Sequence, residues 1–273
     1  MLYTLPQKLT AMVSVMLAAV VLAACQSGTV QTGTVQTDSA QGNSAATDAA
    51  GGVVLVAGAT GGTGQMVVKH LLEQGYDVKA LVRSIDKARG LFGDTVEYAT
   101  GDVRNPDQLI EAMVGVDYVI SSVGGSRNDK SNYPEQVDFG GVRNMADVAA
   151  ASGVKQMVLV SSSGVTQEDH FLNKMFNDVM KWKLKGEDAL RASGVPYTIV
   201  RPGGLVDKPA GSSTIVFAQG DTTSGAITRE DVALICVAAL QYPEARGKTF
   251  ETFAEGTATA PDWASMFGGL NAD

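Results

Sequence analysis

Apolar and polar positions follow two alternating periods from residue 53 onward. Short runs rich in β-branched residues predict buried strands at 53–57, 77–82, 95–99, 117–121, 157–161 and 196–200. Between these runs, apolar positions spaced three or four apart predict helices at 63–75, 86–92, 106–113, 134–152, 171–193 and 229–241. Regular alternation of strands and helices predicts an α/β fold, in which a doubly wound parallel sheet carries helices on both faces.

The first 24 residues break this pattern and predict a signal peptide. Lys8 supplies a positive charge, and the apolar stretch 11–24 that follows it is too short to span a membrane comfortably. The stretch ends at Leu22-Ala23-Ala24-Cys25, which resembles the lipobox of bacterial lipoproteins. This resemblance implies acylation of Cys25 and a membrane-anchored lipoprotein on the periplasmic or other extracytoplasmic face of the cell envelope. A plain signal peptide with a chance cysteine is the alternative.

Residues 25–50 are mostly Gln, Ser, Gly, Thr and Ala, and they include the near-repeat Gly-Thr-Val-Gln-Thr. Because so little apolar surface cannot offset the entropy lost on ordering, we expect a flexible linker. We expect the folded part to be a single domain at 51–273, a length that suits one α/β unit.

A glycine-rich turn directly follows the first predicted strand. It reads Gly58-Ala59-Thr60-Gly61-Gly62-Thr63-Gly64 and leads into the next predicted helix. In such a turn Gly58 permits the tight bend, Gly61 lets the backbone approach a pyrophosphate, and Gly64 lets helix and strand pack closely. Backbone N–H groups and the helix dipole favour an anion at this point. The segment therefore predicts a Rossmann-like dinucleotide site, the alternative being a glycine-rich loop without a ligand.

Ligands of a doubly wound sheet bind beyond the carboxyl ends of its strands, so the residues just after each strand are the candidates. Arg83 follows the second strand, where an NAD site usually has an acidic residue that binds the ribose hydroxyls. A guanidinium can instead form a charge-assisted hydrogen bond to a 2′-phosphate, worth roughly 1.5–3 kcal/mol. We therefore expect NADP as the cofactor in preference to NAD. A solvated surface arginine is the alternative.

The remaining strand ends supply further candidates. Asp102 and Val103 follow the third strand, where Asp102 can accept a hydrogen bond from an adenine amino group, or can cap or form the turn before the helix predicted at 106–113. Small residues after the fourth strand would let a ribose pass close to the backbone. The candidates after the fourth, fifth and sixth strands are Ser121, Val123, Gly124, Ser162, Pro202, Gly203 and Gly204.

Composition narrows the function classes. The net charge of −8 and the pI of about 4.8 argue against nucleic acid or an anionic bilayer surface as a partner. The presence of only two cysteines excludes a disulfide framework, and Cys236 lies in an apolar helix where a small core residue is expected. The two histidines have no Cys or His neighbours at ligand spacing, so no metal site is predicted.

Several segments occur in an order that resembles the atypical short-chain dehydrogenase/reductase superfamily, in particular its single-domain, NmrA-like, NAD(P)-binding branch. The segments are GATGGTG, LVR, GDV, SSVGG, VDFGGVRN, GVKQMVLVSS, SGVPYTIVRPGGL and ITREDVA. They span nearly all of residues 52–255, and a Trp-Lys-x-Lys-x-Glu segment at 182–187 is similar to one in small plant and bacterial members. The resemblance implies a Rossmann-like fold that binds NADP or NAD.

The resemblance also implies roles, carried over position by position. The turn at 58–64, including Thr60, Gly62 and Thr63, corresponds to the family's pyrophosphate loop, and Arg83 corresponds to the residue that receives the 2′-phosphate. Asp102 and Val103 correspond to the adenine contacts, and Ser162 to the serine at the end of the fifth strand. The positions that correspond to contacts with the nicotinamide half are Ser121, Val123, Gly124, the active-site lysine Lys183 and the backbone of 202–205.

One feature of the family is missing. The usual dehydrogenase acid is a tyrosine four residues before the lysine, and here that position holds Val179. A positioned acid contributes roughly 10²–10⁴-fold to a rate, so its loss argues against standard carbonyl reduction. Lys183 and Ser162 remain the catalytic candidates, and a flavin- or quinone-like acceptor can take its proton from water. Other donors are conceivable if the fold brings them in, namely Tyr133, Asp169, His170 and Tyr197.

Three function classes follow. The first is an NADP-dependent oxidoreductase that transfers hydride to a small quinone- or flavin-like acceptor. The second is a non-catalytic NADP(H)-binding redox sensor or assembly factor with a protein partner, which the missing tyrosine favours. The third, a sugar epimerase or dehydratase, needs the same tyrosine and a larger carboxyl-terminal substrate domain, so it ranks last.

Overall fold

The computed structural model describes residues 51–273. The predicted signal peptide at 1–24, the predicted lipidation site Cys25 and the predicted linker at 25–50 lie outside the described residues. Within 51–273, no helix combines the length and the apolar character that crossing a bilayer requires.

In the described part of the chain, eight strands form the main sheet in the order β3-β2-β1-β4-β5-β6-β10-β8, and a separate parallel pair joins β7 to β9. The sheet is parallel from β3 to β10, and β8 runs antiparallel to β10 at one edge. The strands are β1 Val53–Ala57, β2 Asp77–Val82, β3 Glu97–Thr100, β4 Tyr118–Ser121, β5 Gln156–Val160, β6 Tyr197–Pro202, β7 Gly204–Val206, β8 Thr214–Ala218, β9 Ala226–Thr228 and β10 Lys248–Glu255. The six predicted strands are confirmed to within two residues at each end, and β7 to β10 were not predicted.

Helices cover both faces of this sheet, as the α/β prediction required. They are α1 Gly62–Glu73, α2 Ile85–Phe92, α3 Pro106–Ala112, α4 Val142–Ala151, α5 Phe171–Met175, α6 Val179–Ala192, α7 Arg229–Gln241 and α8 Trp263–Gly268. Short 3₁₀ turns occupy Lys130–Asn132 and Pro243–Ala245, and a π-helical segment, Glu135–Gly141, leads into α4.

Two of the predicted helices are each divided in the structure. The helix predicted at 134–152 begins with the π-helical segment, in which the backbone is wound more widely than in an α-helix. The helix predicted at 171–193 is interrupted before α6, because Asn177 and Asp178 adopt φ angles of 52° and 58°. These angles lie in the left-handed region, which an α-helix cannot continue through.

Alternate residues of β1 pack into two hydrophobic clusters, one on each face of the sheet. Val54 and Val56 pack in a cluster with residues of α1 and α7, whereas Leu55 and Ala57 pack in a second cluster with residues of α3, α4 and α6. Because both faces are apolar, the strand reads as one continuous hydrophobic run. Strand β1 lies between β2 and β4, so the strand order reverses there and opens a crevice beyond the carboxyl ends.

The carboxyl-terminal part of the chain extends the sheet beyond β6. Phe250 of β10, Phe217 of β8 and Phe267 of α8 pack together, with ring centroids 4.2 to 5.9 Å apart. The strands of this extension were missed because each depends on a partner distant in the sequence.

Candidate functional site

A cleft of about 450 Å³ opens at the carboxyl ends of β1, β2, β3 and β4. Eight predicted cofactor contacts line it: Gly58, Thr60, Gly61, Arg83, Asp102, Val103, Val123 and Gly124. The other lining residues are Leu81, Val82, Gly101, Ser122, Ser126, Asp129, Asn132 and Val137. The fold therefore gathers residues that follow four separate strands into one concave site, as the position of the strand reversal predicts.

The glycine turn has the geometry of an anion cradle. Gly58 has a φ of +83°, and its carbonyl accepts a hydrogen bond from the N–H of Gly61 at 2.9 Å. A Cβ on Gly64 would overlap the carbonyl oxygen of Gly58, so helix and strand can approach this closely only with glycine there. Among residues 51–273, no side chain caps α1, and its first turn holds no acidic residue. The N-terminus of α1 thus presents backbone N–H groups that an anion can bind.

The predicted residues Gly62 and Thr63 form the first turn of α1 behind the cleft, where Thr63 is buried. A residue that was not predicted, Arg229, lies against this turn, with its Cδ 2.8 Å from where a Cβ on Gly62 would be. Its guanidinium forms a 2.7 Å ion pair with Asp207. Arg229 belongs to the segment ITREDVA, but only the packing of α7 on α1 brings it to the turn.

Arg83 is exposed at the end of β2, and its Nη1 donates a 3.2 Å hydrogen bond to the Asn132 side chain. Asp102 follows the neighbouring strand β3 and accepts hydrogen bonds of 2.7 and 2.5 Å from the guanidinium of Arg104. This interaction holds the pKa of the Asp102 carboxyl below its usual value. The alternative that Asp102 caps or forms the turn before the next helix holds in part: the cap is Asn105, whose side chain accepts the N–H of Asp107, but Oδ1 of Asp102 accepts the N–H of Arg104 at 2.9 Å and so forms the turn.

At the end of β4, the residue that lines the cleft is Ser122 and not the predicted Ser121. Ser121 is fully buried, and its Oγ has no hydrogen-bond partner within the described part of the chain. Ser122 lines the cleft instead, and its Oγ donates to the carbonyl of Ala57 at 3.4 Å. Because side chains alternate between opposite sides of a strand, a shift of one residue decides which serine faces the ligand.

Lys183 is held by a buried carboxylate that was not predicted as part of the site. Its Nζ lies 2.7 Å from Oδ1 of Asp138, whose side chain is 1% exposed. Oδ2 of Asp138 accepts the N–H of Gly125 at 2.7 Å, just after the cleft residues Val123 and Gly124. The sequence signal was present in VDFGGVRN, but a single aspartate in a helix does not reveal its partner.

Gly186 explains how Lys183 comes to this position. A Cβ there would overlap the carbonyl oxygen of Asp138, so glycine lets α6 approach the π-helical segment closely. Val179, which replaces the family's tyrosine, is the first residue of α6. The turn of helix before Lys183 therefore begins with an apolar side chain.

A family model described as NAD(P)H-binding matches residues 58–243. The chain belongs to the NAD(P)H-binding family. This match confirms the Rossmann-like, NmrA-like short-chain dehydrogenase/reductase character expected from the sequence, and it confirms a nicotinamide dinucleotide as the cofactor.

Known proteins of this type are similar over most of the chain. Sanguinarine reductase of Eschscholzia californica is 37% identical, and the match covers 72% of this chain and 87% of that protein. Photosystem II assembly factor Ycf39 of Trieres chinensis is 32% identical, over 72% of this chain and 62% of that protein. A solved anaerobillin reductase of Escherichia coli O157:H7 is 25% identical with a TM-score of 0.64, over 76% of this chain and all (100%) of that one.

The observed site fits the cofactor of the NAD(P)H-binding family. The uncapped N-terminus of α1 and the close Gly58–Gly64 contact suit a diphosphate. Arg83 lines the cleft together with Asp102 and Val103, the predicted adenine contacts, and the guanidinium of Arg104 pairs with Asp102. A dinucleotide bound this way continues across the strand reversal towards β4 and β5, where Val123 and Lys183 lie.

The serine that shares a cavity with Lys183 is Ser161. A small cavity of about 10 Å³ is lined by Val123, Asp138, Val142, Leu159, Val160, Ser161 and Lys183. Ser161 Oγ is buried without a hydrogen-bond partner in the region 51–273. The predicted Ser162 is half-buried, and its Oγ donates to the carbonyl of Ser163 at 3.1 Å.

The residues after β6 are tied into the fold through their backbone. The N–H of Gly203 donates to the carbonyl of Thr252 at 3.0 Å, and that of Gly204 donates to the carbonyl of Gly225 at 2.9 Å. Pro202 is buried at the end of β6. The three predicted residues at 202–204 thus lie outside the cleft lining, with both of their N–H donors engaged by the protein.

The loop between β5 and α5 is anchored by a buried aspartate. Asp221 accepts hydrogen bonds from the N–H of Gly164 at 2.5 Å and from the N–H and hydroxyl of Thr166 at 2.9 and 2.7 Å. Asp221 itself adopts a φ of 54°, in the left-handed region. This carboxylate fixes the polypeptide that leads from Ser161 to α5.

Two of the conceivable proton donors are engaged elsewhere. The hydroxyl of Tyr197 donates to Asp273 at 3.1 Å, and burial raises its pKa. His170 accepts the N–H of Leu172 through Nδ1 at 3.3 Å and stacks on Phe171 at 4.8 Å. Cys236, expected from the sequence to be a small core residue, is fully buried, and burial raises the pKa of its thiol to about 12.

Proposed function

We propose that the protein is an NADPH-dependent reductase that transfers hydride to a small quinone- or flavin-like acceptor. The observation that carries the cofactor choice is Arg83, an exposed cation at the end of β2 beside the uncapped N-terminus of α1. The names of the two similar reductases support the reaction class. The acceptor class follows from Val179, because a quinone or flavin can be protonated by water after hydride transfer.

The roles of this chain's residues follow from their positions. Bound NADPH supplies the hydride. The N-terminus of α1 holds the diphosphate, and Arg83 binds the 2′-phosphate through a charge-assisted hydrogen bond. Lys183 and Asp138 border the nicotinamide half, with Ser161 beside them. Val179 stands where the family has its tyrosine acid, and it has no proton to donate. In the proposed reaction water therefore protonates the reduced acceptor.

The test is a fluorescence titration of the purified protein with NADPH and NADH, followed by assays with a quinone and a flavin. We expect tighter binding of NADPH and turnover of at least one acceptor. Arg83→Ala should weaken NADPH binding about tenfold to 150-fold, since about 1.4 kcal/mol corresponds to a factor of ten. The same variant should leave NADH binding within about twofold of its starting value, because NADH lacks the 2′-phosphate.

A matched control removes a different exposed arginine. Arg89 in α2 pairs with Asp94 at 3.7 Å and does not line the cleft. Arg89→Ala should leave both affinities unchanged. Equal or tighter binding of NADH by the unmodified protein would contradict the preference for NADPH.

The second candidate is a non-catalytic NADP(H)-binding redox sensor or assembly factor that acts on a protein partner. Val179 favours it, as does the similarity to a protein named as a photosystem II assembly factor. Tight NADPH binding without turnover of any quinone or flavin would favour this candidate over the reductase.

We also propose that the chain is a lipoprotein anchored through Cys25. The sequence Leu22-Ala23-Ala24-Cys25 supports this proposal. Mass spectrometry of protein from the membrane fraction should find a diacylated or triacylated N-terminal peptide that begins at Cys25. An intact Met1 terminus would contradict it.

A further inference from the structure

We propose that the buried Asp138–Lys183 ion pair sets the relative affinity of the protein for oxidised and reduced cofactor. In this proposal Asp138 cancels the positive charge that Lys183 places beside the nicotinamide ring. The inference rests on the proposed function only for the position of the cofactor, and it holds whether or not the protein turns over a substrate.

The geometry of the pair is that of a fixed, desolvated charge pair. Asp138 Oδ1 lies 2.7 Å from Lys183 Nζ, and the two side chains are only 1% and 18% exposed. Asp138 Oδ2 accepts the N–H of Gly125 at 2.7 Å, which fixes the carboxylate from a second direction. Because Gly186 has no side chain, α6 packs directly against the backbone of Asp138, and this close packing keeps Lys183 beside the carboxylate.

Among the described residues, those that line the small cavity carry no formal charge apart from the pair itself. The remaining residues that line the small cavity are Val123, Val142, Leu159, Val160 and Ser161. Interactions between charges are stronger in such apolar surroundings than in water. Removing one member of the pair would therefore leave a charge whose field reaches its neighbours with little screening.

The nicotinamide end of a bound dinucleotide lies on this side of the site. Arg83 and the N-terminus of α1 fix the 2′-phosphate and the diphosphate, and the strand order reverses between β1 and β4. The other half of the cofactor therefore continues over the ends of β4 and β5. Val123 lines both the cofactor cleft and the small cavity, so one residue separates the ion pair from the cleft.

Oxidised and reduced cofactor differ by a positive charge on the nicotinamide ring. An uncompensated Lys183 would repel the oxidised ring and leave the reduced ring nearly unaffected. Because Asp138 neutralises the lysine, we expect the protein to bind NADP⁺ without this penalty. The ratio of the two dissociation constants, Kd for NADP⁺ over Kd for NADPH, reports the effect directly.

The experiment measures both dissociation constants by calorimetry for the full-length protein and its variants. Asp138→Asn keeps an acceptor for the Gly125 N–H and removes only the charge, and we expect the ratio to rise about tenfold, which is about 1.4 kcal/mol. Lys183→Met should shift the ratio in the opposite direction, since it leaves Asp138 uncompensated. The double variant should return the ratio to within about twofold of the original value.

Asp117→Asn is the matched control. Asp117 also pairs with a lysine, Lys155, at 2.9 Å and accepts a backbone N–H, that of Val53, at 2.9 Å, but it lies at the amino end of the sheet. In this variant the ratio of the dissociation constants for NADP⁺ and NADPH should stay unchanged. A general loss of stability in Asp138→Asn would weaken both cofactor forms equally and leave the ratio alone.

An unchanged ratio in both single variants, with binding retained, overturns this inference and leaves the proposed function standing. If Asp138→Asn does not fold, Lys183→Met alone decides, through the direction of its shift. If the unmodified protein binds neither NADP⁺ nor NADPH, the proposed function and this inference fail together.

Discussion

Single glycines decide how closely the backbone segments of the cofactor site approach each other. Gly64 meets the carbonyl of Gly58 at a distance that leaves no room for a side chain, whereas Gly90 in α2 has no atom within 4 Å of where its Cβ would be. Both lie in helices, so the intrinsic helix propensity favours alanine at both positions by roughly 0.5–1 kcal/mol. Only the tertiary contact distinguishes them.

Gly64→Ala should therefore destabilise the protein by about 1–3 kcal/mol, because the new methyl group pushes α1 away from the turn. Cofactor affinity should fall with it, since the backbone N–H groups of the turn lose their arrangement. Gly90→Ala should be neutral or stabilising. Urea unfolding of both variants, with a cofactor titration of each, checks the prediction, and equal stability of the two variants would contradict it.

Residue-level predictions from the sequence identified the right loops and were sometimes one residue out. Ser122 lines the cleft where Ser121 was expected, and Ser161 shares the cavity with Lys183 where Ser162 was expected. The ends of the strands were known only to within two residues, and side chains alternate with a period of two. An error of one residue therefore assigns the site to a side chain that points to the opposite side of the strand.

Helix α6 is the element that joins the cofactor site to the core. One turn after Lys183, the fully buried Glu187 accepts hydrogen bonds from Arg201 at 3.0 and 2.6 Å and from Arg191 at 3.0 Å. Arg201 also pairs with Glu251 at 3.1 Å, and these carboxylates raise its pKa. The Glu of the Trp-Lys-x-Lys-x-Glu segment is thus a structural residue that fixes α6 on β6.

Glu187→Gln should cost about 3 kcal/mol of unfolding free energy, because it leaves buried Arg201 partly uncompensated. Asp188→Asn removes the adjacent carboxylate, which is 64% exposed, and should change stability by less than about 0.5 kcal/mol. Chemical denaturation of the two variants measures the difference. A loss as small in Glu187→Gln as in Asp188→Asn would show that the buried pair does not anchor the helix.

The sequence predicted α6 as part of one helix at 171–193, and the break before it has a local cause that the hydrophobic period does not reveal. Asn177 and Asp178 are residues that tolerate the left-handed region, and both adopt it. The break makes α5 a separate helix from α6. Hydrophobic periodicity continues through such a break, so it could not be located from the pattern.

At the scale of the whole molecule, carboxylates link elements that are far apart in the sequence. Glu230 of α7 accepts a hydrogen bond from Lys69 of α1 at 2.7 Å and from the N–H of Ala210 at 3.0 Å. These hydrogen bonds, the one from Lys69 above all, hold the pKa of Glu230 below its ordinary value of 4.5. Hydrogen bonds from Lys155 and from the N–H of Val53 likewise hold the pKa of the Asp117 carboxyl below its ordinary value.

Acid should therefore weaken the fold in a defined window. A carboxyl whose folded pKa is lowered contributes stability that is present above its unfolded pKa and is lost as the pH falls through the folded value. We expect the unfolding free energy to decline as the pH falls below about 4.5, the unfolded value for Glu230, and to go on declining at lower pH. Glu230→Gln should flatten this decline, and exposed Glu244→Gln should not.

Denaturant unfolding at pH 7, 5 and 3.5 makes the comparison between the two variants and the unmodified protein. The same slope in all three proteins would contradict the assignment of acid sensitivity to the α1–α7 contact.

The sequence by itself determined the α/β class, the six central strands, the glycine turn and the nicotinamide cofactor. These properties depend on local patterns, namely runs of buried residues and a turn whose backbone only glycine can form. Tertiary structure alone decided that Asp138 pairs with Lys183, that Arg229 reaches the turn, and that β10 extends the sheet beside β6. Each of these contacts joins residues more than forty positions apart, where helix packing and strand pairing, and not local spacing, determine the distance.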